Sequence, residues 1–177
     1  MGIIRYIIRR FMWLVLVLLM LVPASGVYAG DKPIFMSVDW AKSAVDVWND
    51  DPELTVELFK SGWVTNTKEG RGFKTMEIYR DDCPESLHVQ LRIEAKDDKA
   101  VAVYGGEVFD EDPDYIMWAE TGRWIEMGKG EYGPMKAMTF RRLRFKGPMW
   151  EAMKNMGPFS AFFRLVGKID ADYETCH

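Results

Sequence analysis

The sequence predicts an α+β domain: a five-stranded antiparallel sheet covered on one face by short helices. Three observations predict it. Apolar residues recur at helical spacing through 37–62, and two-residue alternation then dominates 73–119. Helical spacing returns after Thr121, with one more short alternating run inside it, while short polar stretches such as KDDK and DEDPD punctuate the alternating runs. No internal repeat or low-complexity tract competes with this order.

Ahead of the domain, MGIIRYIIRR holds Arg5, Arg9 and Arg10 and no acid, and Phe11–Val22 is twelve unbroken apolar residues. Pro23, Ala24, Ser25 and Gly26 follow, and then Val27-Tyr28-Ala29 offers small residues where a signal peptidase reads. Twelve helical residues rise only about 18 Å, against a hydrocarbon layer of roughly 30 Å. Residues 1–29 therefore read as a secretory signal peptide, with an uncleaved anchor as the alternative because Ile3, Ile4, Ile7 and Ile8 add apolar length. The expected location is outside the cytoplasm, periplasmic or secreted.

Within 30–177, SVDWAKSAVDVWNDDPELTVELFKSG reads as two helices. Ser37 caps the first, which carries Trp40, Ala44, Val47 and Trp48 on one face. Asp51-Pro52 separates it from the second, whose stripe is Leu54, Leu58 and Phe59 and whose end is Gly62. Four strands follow: Phe73–Arg80, Ser86–Ala95, Ala100–Phe109 and Tyr115–Ala119. In the second, Leu87, Val89, Leu91 and Ile93 alternate with His88, Gln90, Arg92 and Glu94, the pattern of a half-buried strand. Gly105-Gly106 in the third marks a bulge or a close backbone approach.

Two short helices come next, one around Trp124, Ile125 and Met127 and one opened by Pro134 around Met135, Ala137 and Met138. Arg141–Lys146 alternates as a fifth strand. Pro148 starts a helix in which Met149, Met153 and Met156 share a face. Gly157-Pro158 ends it and opens the last helix, with Phe159, Phe162, Phe163 and Val166.

The chain carries 23 basic and 27 acidic residues. Three of the bases and none of the acids precede residue 30, which leaves 20 against 27 and a net −7 for the rest. Such a balance gives no general attraction to nucleic acid. Serine-nucleophile motifs, CxxC pairs, phosphate loops and metal-spaced histidines are absent from the sequence, so no enzyme, cofactor or metal is expected. Asp110, Glu111, Asp112 and Asp114 read as a solvated turn, and His88 as a surface residue. Cys83 and Cys176 permit either one disulfide or two thiols.

The methionines carry more information. Seven of the nine beyond residue 30 lie between Met117 and Met156. A helical stripe of this kind usually belongs to a core. Thioether side chains are also unbranched and polarisable, so they refit around guests of different shape. Each CH₂ of such a guest moved from water is worth about 0.8 kcal/mol. The basic residues Lys136, Arg141, Arg142, Arg144 and Lys146 run through the same region, either as a plain strand edge or as a face for an acidic headgroup.

The segment from Pro113 to Met156 resembles the sterol carrier protein type-2 domain family. The resemblance rests on an Asp-led strand at Asp114 and a short helix around Trp124. Gly130, Pro134 and Ala137 follow in a Gly-x-x-x-Pro-x-x-Ala turn. Leu143, Phe145, Gly147 and Met149 then stand in Leu-x-Phe-x-Gly-x-Met, with Ala152-Met153-Lys154 beyond. It implies a sheet-and-helix fold enclosing an apolar tunnel, and noncovalent binding or transfer of a fatty acid, phospholipid or sterol-like lipid without a reaction. The expected tunnel wall is Met138, Phe140, Leu143, Phe145, Met149, Met153, Met156, Phe159 and Phe162. The partner is a lipid ligand, with transient membrane contact as a further candidate. The rival reading is an envelope interaction module whose tunnel has collapsed.

Overall fold

A computed structural model describes residues 32–83 and 88–176. The signal-peptide expectation for 1–29 lies outside them, as do Ser86 and Leu87. Helix α1 (Val38–Asn49) starts at Ser37, whose hydroxyl accepts the Trp40 N–H, and buries Trp40, Ala41, Ala44 and Trp48. Asp51-Pro52 breaks the helix as expected. The chain then makes a π-helical turn over Glu53–Glu57 that runs into α2 (Leu58–Lys60) and ends at Gly62 in a left-handed conformation.

Strands β1 (Phe73–Arg80), β2 (Val89–Lys96), β3 (Lys99–Glu107), β4 (Tyr115–Ala119) and β5 (Arg144–Lys146) form one sheet in the order β3-β2-β1-β4-β5. Helices α3 (Thr121–Gly128), α4 (Pro134–Thr139), α5 (Met149–Lys154) and α6 (Met156–Lys168) complete the fold. The α+β class and the five strands stand. The sheet is mixed rather than wholly antiparallel, because β1 and β4 run parallel at its centre. The cause is the segment after β3. It crosses the outer face of β2, where Gln90 accepts the N–H groups of Phe109 and Asp110 and donates to the Asp110 carbonyl. Such a crossover delivers the chain to the far side of β1 in the direction β1 already runs. Side-chain alternation fixes which face a residue takes, and is silent on strand direction.

The β2–β3 hairpin turns on Asp97 and Asp98, both left-handed (φ 49° and 56°), as a two-residue turn that follows the strand twist requires. The pairing register shifts at Arg92/Ile93, so Val103 is the extra residue of a bulge. Gly105 meets the other half of its expectation. A Cβ there would lie 2.0 Å from the Ala41 carbonyl oxygen, so the backbone of α1 rests directly on β3. The same economy appears where α3 crosses α6: a Cβ on Gly167 would lie 2.4 Å from the Gly128 carbonyl oxygen.

The core fills the space between the helices and the inner sheet face. Met76, Ile78, Val89, Leu91, Ile93, Tyr115 and Met117 meet Trp40, Trp48, Trp63, Trp124, Phe162 and Phe163 there, all buried. Cys83 and Cys176 form a disulfide, which ties the segment after β1 to the C-terminal tail. Arg80 adds a second tie, donating to the carbonyls of Tyr173 and Thr175.

Candidate functional site

Pro134 opens α4 at its first position, where a missing N–H costs nothing. The helix ends at Thr139; Arg141, just beyond it, adopts φ 53°, and the N–H groups of Arg142 and Leu143 both donate to the Ala137 carbonyl. This tight turn shortens the expected Arg141–Lys146 strand to three residues, paired with β4 through Met117 and Phe145. The chain leaves β5 through Gly147 at φ 153°, where a Cβ would lie 2.8 Å from the Asp114 carbonyl oxygen. Pro148 then caps α5, which ends at Asn155, so Met156 begins α6 instead of finishing the helix before it.

Between α4, β5 and α5 lies an open groove of about 320 Å³. Its apolar walls are Trp118, Met138, Leu143, Phe145 and Met149, and Arg141 and Arg144 stand at its edge. That volume is at the lower end of the roughly 300–1,000 Å³ typical of small-molecule sites. A second hollow of about 170 Å³, polar in character, adjoins it and is lined by Asp81, Glu120, Arg123, Phe140 and Arg142 together with the same Arg141 and Arg144.

Four of the nine expected lining residues, Met138, Leu143, Phe145 and Met149, meet in the groove. Phe140 lines the adjoining polar hollow instead and is 67% exposed. Met153 is exposed on α5, and Met156 packs half-buried against the core. Phe159 lies one layer behind the groove, with its ring edge-on to Phe145 and Tyr115. Phe162 is deeper still, against Trp48. Trp118, Arg141 and Arg144 complete the walls. Trp118 was readable only as a strand residue, because its neighbour Arg144 comes from another strand and is adjacent only once β4 and β5 pair.

A polar network supports the floor. Lys74 points inward from β1, only 2% exposed, and donates to both carboxylate oxygens of Glu151 on α5 at 3.1 and 3.2 Å. The Tyr115 hydroxyl also donates to Glu151 and accepts the Trp63 indole N–H. Burial, and then the hydrogen bond to Glu151, push the Tyr115 hydroxyl well above the usual phenol range. Asp114, expected in a solvated turn, is buried instead, where it accepts the Thr75 N–H and pairs with Arg71. At the polar hollow, the hydroxyl of Tyr132 and the guanidinium of Arg123 hold the Glu126 carboxyl below its usual range. Arg142 lies 3.6 Å from the same carboxylate, over the Tyr132 ring. Among the described residues no cluster of histidine, cysteine or carboxylate side chains could hold a metal ion.

The SCP-2 sterol transfer family matches residues 70–160, just over half of the 177-residue chain. Two solved structures share the fold at low identity. One is a conserved hypothetical protein of Thermus thermophilus, described with reference to sterol carrier protein: TM-score 0.53, 11% identity, covering 81% of this chain and 94% of that one. The other is a sterol carrier protein 2, with TM-score 0.52 and 13% identity over 76% of this chain and 98% of that one. No curated protein matches at the sequence level. The family match spans β1 to the start of α6 and so includes every wall of the groove, and the chain belongs to the SCP-2 sterol transfer family.

Proposed function

We propose that this protein is an exported, noncovalent lipid carrier that takes an apolar chain into the groove between α4, β5 and α5. Membership in a sterol transfer family supports lipid binding or transfer in general. The observation that carries the specific reading is the groove itself: 320 Å³ walled by two methionines, a leucine and two aromatic rings. Met138, Phe145 and Met149 lie on two six-residue helices and a three-residue strand, Leu143 lies in the turn before that strand, and Trp118 on β4 anchors the groove to the sheet. Export is supported from two directions. One is the basic, apolar, small-residue order of 1–29, and the other is a disulfide that an oxidising compartment would preserve. Transient membrane contact belongs to the same reading. Phe140, next to Arg141 and one turn from Lys136, and Trp150, under the Lys154 ammonium, are 67% and 69% exposed, a combination of apolar rings and cations that suits a bilayer surface.

The test is uptake of pyrene-labelled fatty acid, phospholipid and sterol by the purified full-length chain, read by fluorescence. At least one should bind, and Met138→Trp, which fills the groove, should abolish that binding while leaving the circular dichroism spectrum unchanged. Failure of every probe to bind would overturn the carrier reading.

A further inference from the structure

The groove and the polar hollow beside it share two side chains, Arg141 and Arg144. We infer that the hollow is a headgroup site and that the cargo is an anionic amphiphile, its carboxylate or phosphate held by Arg141 and Arg144 and its chain lying along the groove. This rests on the carrier reading and narrows it.

The charges around the hollow are unequally engaged. Arg123 donates to both oxygens of Glu126 at 2.9 Å, and Arg142 adds a longer pair to that same carboxylate. Among the described residues, Arg141 and Arg144 pair with no carboxylate. Asp81 and Glu120 also line the hollow, and they oppose an anion there. With Glu126 counted, four guanidinium groups stand against three carboxylates, an excess of one positive charge around the hollow in a chain whose net charge is −4. Guanidinium presents a planar fork that matches carboxylate and phosphate, and hydrogen bonds between ionised partners are about twice as strong as neutral ones.

The backbone at Arg141 points the same way. Its φ of 53° is the left-handed conformation that closes α4, where glycine is the unstrained choice. A non-glycine residue held there costs free energy that the surrounding structure must offset. The side chain that occupies it is the one that borders both compartments. A neutral sterol would fill the groove and leave both cations unanswered, whereas an anionic amphiphile matches each compartment in kind.

The experiment compares full-length wild type, Arg141→Gln/Arg144→Gln and Arg141→Gly. Each is titrated with a pyrene-labelled long-chain carboxylate, the corresponding phosphate monoester and the corresponding primary alcohol. Inorganic phosphate alone serves as competitor. At least one of the anions should bind wild type about tenfold more tightly than the alcohol. The double variant should erase that preference, bringing the affinities for anion and alcohol together. Arg141→Gly should weaken anion binding while Tm stays level or rises, a combination that damage to the fold would not give. Which anion binds identifies the head. Equal affinity for alcohol and anions overturns the headgroup site and leaves the carrier reading standing. Inorganic phosphate that competes as effectively as the amphiphile makes the hollow a free-anion site and also overturns the proposal. If neither anions nor alcohol bind, the headgroup proposal falls, and uptake of phospholipid and sterol in the preceding test decides the carrier reading.

Discussion

The two ends of the sheet solve different problems with the same apolar alphabet. Under β1, β2 and β3 the core is closed. Trp40, Trp48 and Trp63 are buried, and the backbone of α1 touches β3 at Gly105. Around β5 the chain leaves Met135, Phe140, Met149, Trp150 and Met153 exposed, on helices of six residues and in the turn after α4. Large rigid rings fill the first region and flexible thioethers border the second. The contrast teaches that burial, rather than hydrophobicity, separates the part that holds the fold from the part that meets a guest.

The largest expected effect tests that separation directly. Trp48 is buried between Trp63 and Phe162, and its indole N–H donates to the Ala100 carbonyl at 2.9 Å. Trp48→Ala should cost about 3–5 kcal/mol of unfolding free energy in urea titration. Trp150→Ala, the same change on an exposed ring, should cost less than about 0.5 kcal/mol. Equal costs would erase the distinction between the two ends.

Next in size is the tie between them. Lys74 on the central strand holds Glu151 on α5 from a buried position. Lys74→Met strands that carboxylate, although Asn66 and Tyr115 still reach it, and should cost about 3 kcal/mol by the same titration. Lys74→Met/Glu151→Leu should recover part of the loss, because a missing pair is cheaper than a broken one. A double variant weaker than either single one would show that the pair stabilises the fold outright.

Titration of Tyr115 gives a smaller, graded effect. Folded Tyr115 keeps its proton above pH 10, mainly through burial and then through Glu151, while the unfolded chain loses it near pH 10. The native state thus binds the extra proton, and stability falls as pH rises above 10, by about 1.4 kcal/mol per pH unit from this group. Tyr79, Tyr132 and Tyr173 are raised too, again chiefly by burial, so the informative quantity is the difference between wild type and Tyr115→Phe. The variant's alkaline unfolding curve should be flatter. Parallel curves would mean that Tyr115 ionises freely in the folded protein.

Much of this architecture was legible in the amino-acid order, and the exceptions have physical causes. β1 and β4 occupy the residues that alternation marks, Phe73–Arg80 and Tyr115–Ala119, because flanking turns leave no other register. The parallel pairing of those two strands was not legible, since it depends on how the 108–114 segment crosses the sheet. β5 shrank because Arg141 turns left-handed, a conformation that side-chain pattern does not announce. At the site, the basic run and four of the methionine, leucine and phenylalanine walls could be read. Phe159 and Phe162 carry the same signal but face inward from α6, and nothing in a helical stripe says whether its partner is a core or a guest. The Lys74–Glu151 tie joins residues far apart in sequence, each unremarkable alone.

The finest test of the contrast separates stability from uptake within the soft end. Met149 lines the groove yet is 44% exposed, so shortening it opens little new cavity in the fold. Met149→Ala should therefore cost less than about 1 kcal/mol, well below the 2–5 kcal/mol of a fully buried methionine. Met117, buried where β4 meets β5, supplies that buried reference. Met117→Ala should fall in the higher range and lower uptake only as far as it lowers the folded fraction. Met149→Ala should do the reverse: near-native stability, with uptake of the pyrene-labelled chain reduced severalfold because a wall contact with the guest is lost. Equal uptake in wild type and Met149→Ala, at equal folded fractions, would remove α5 from the site and confine the guest to the space beside α4 and β5.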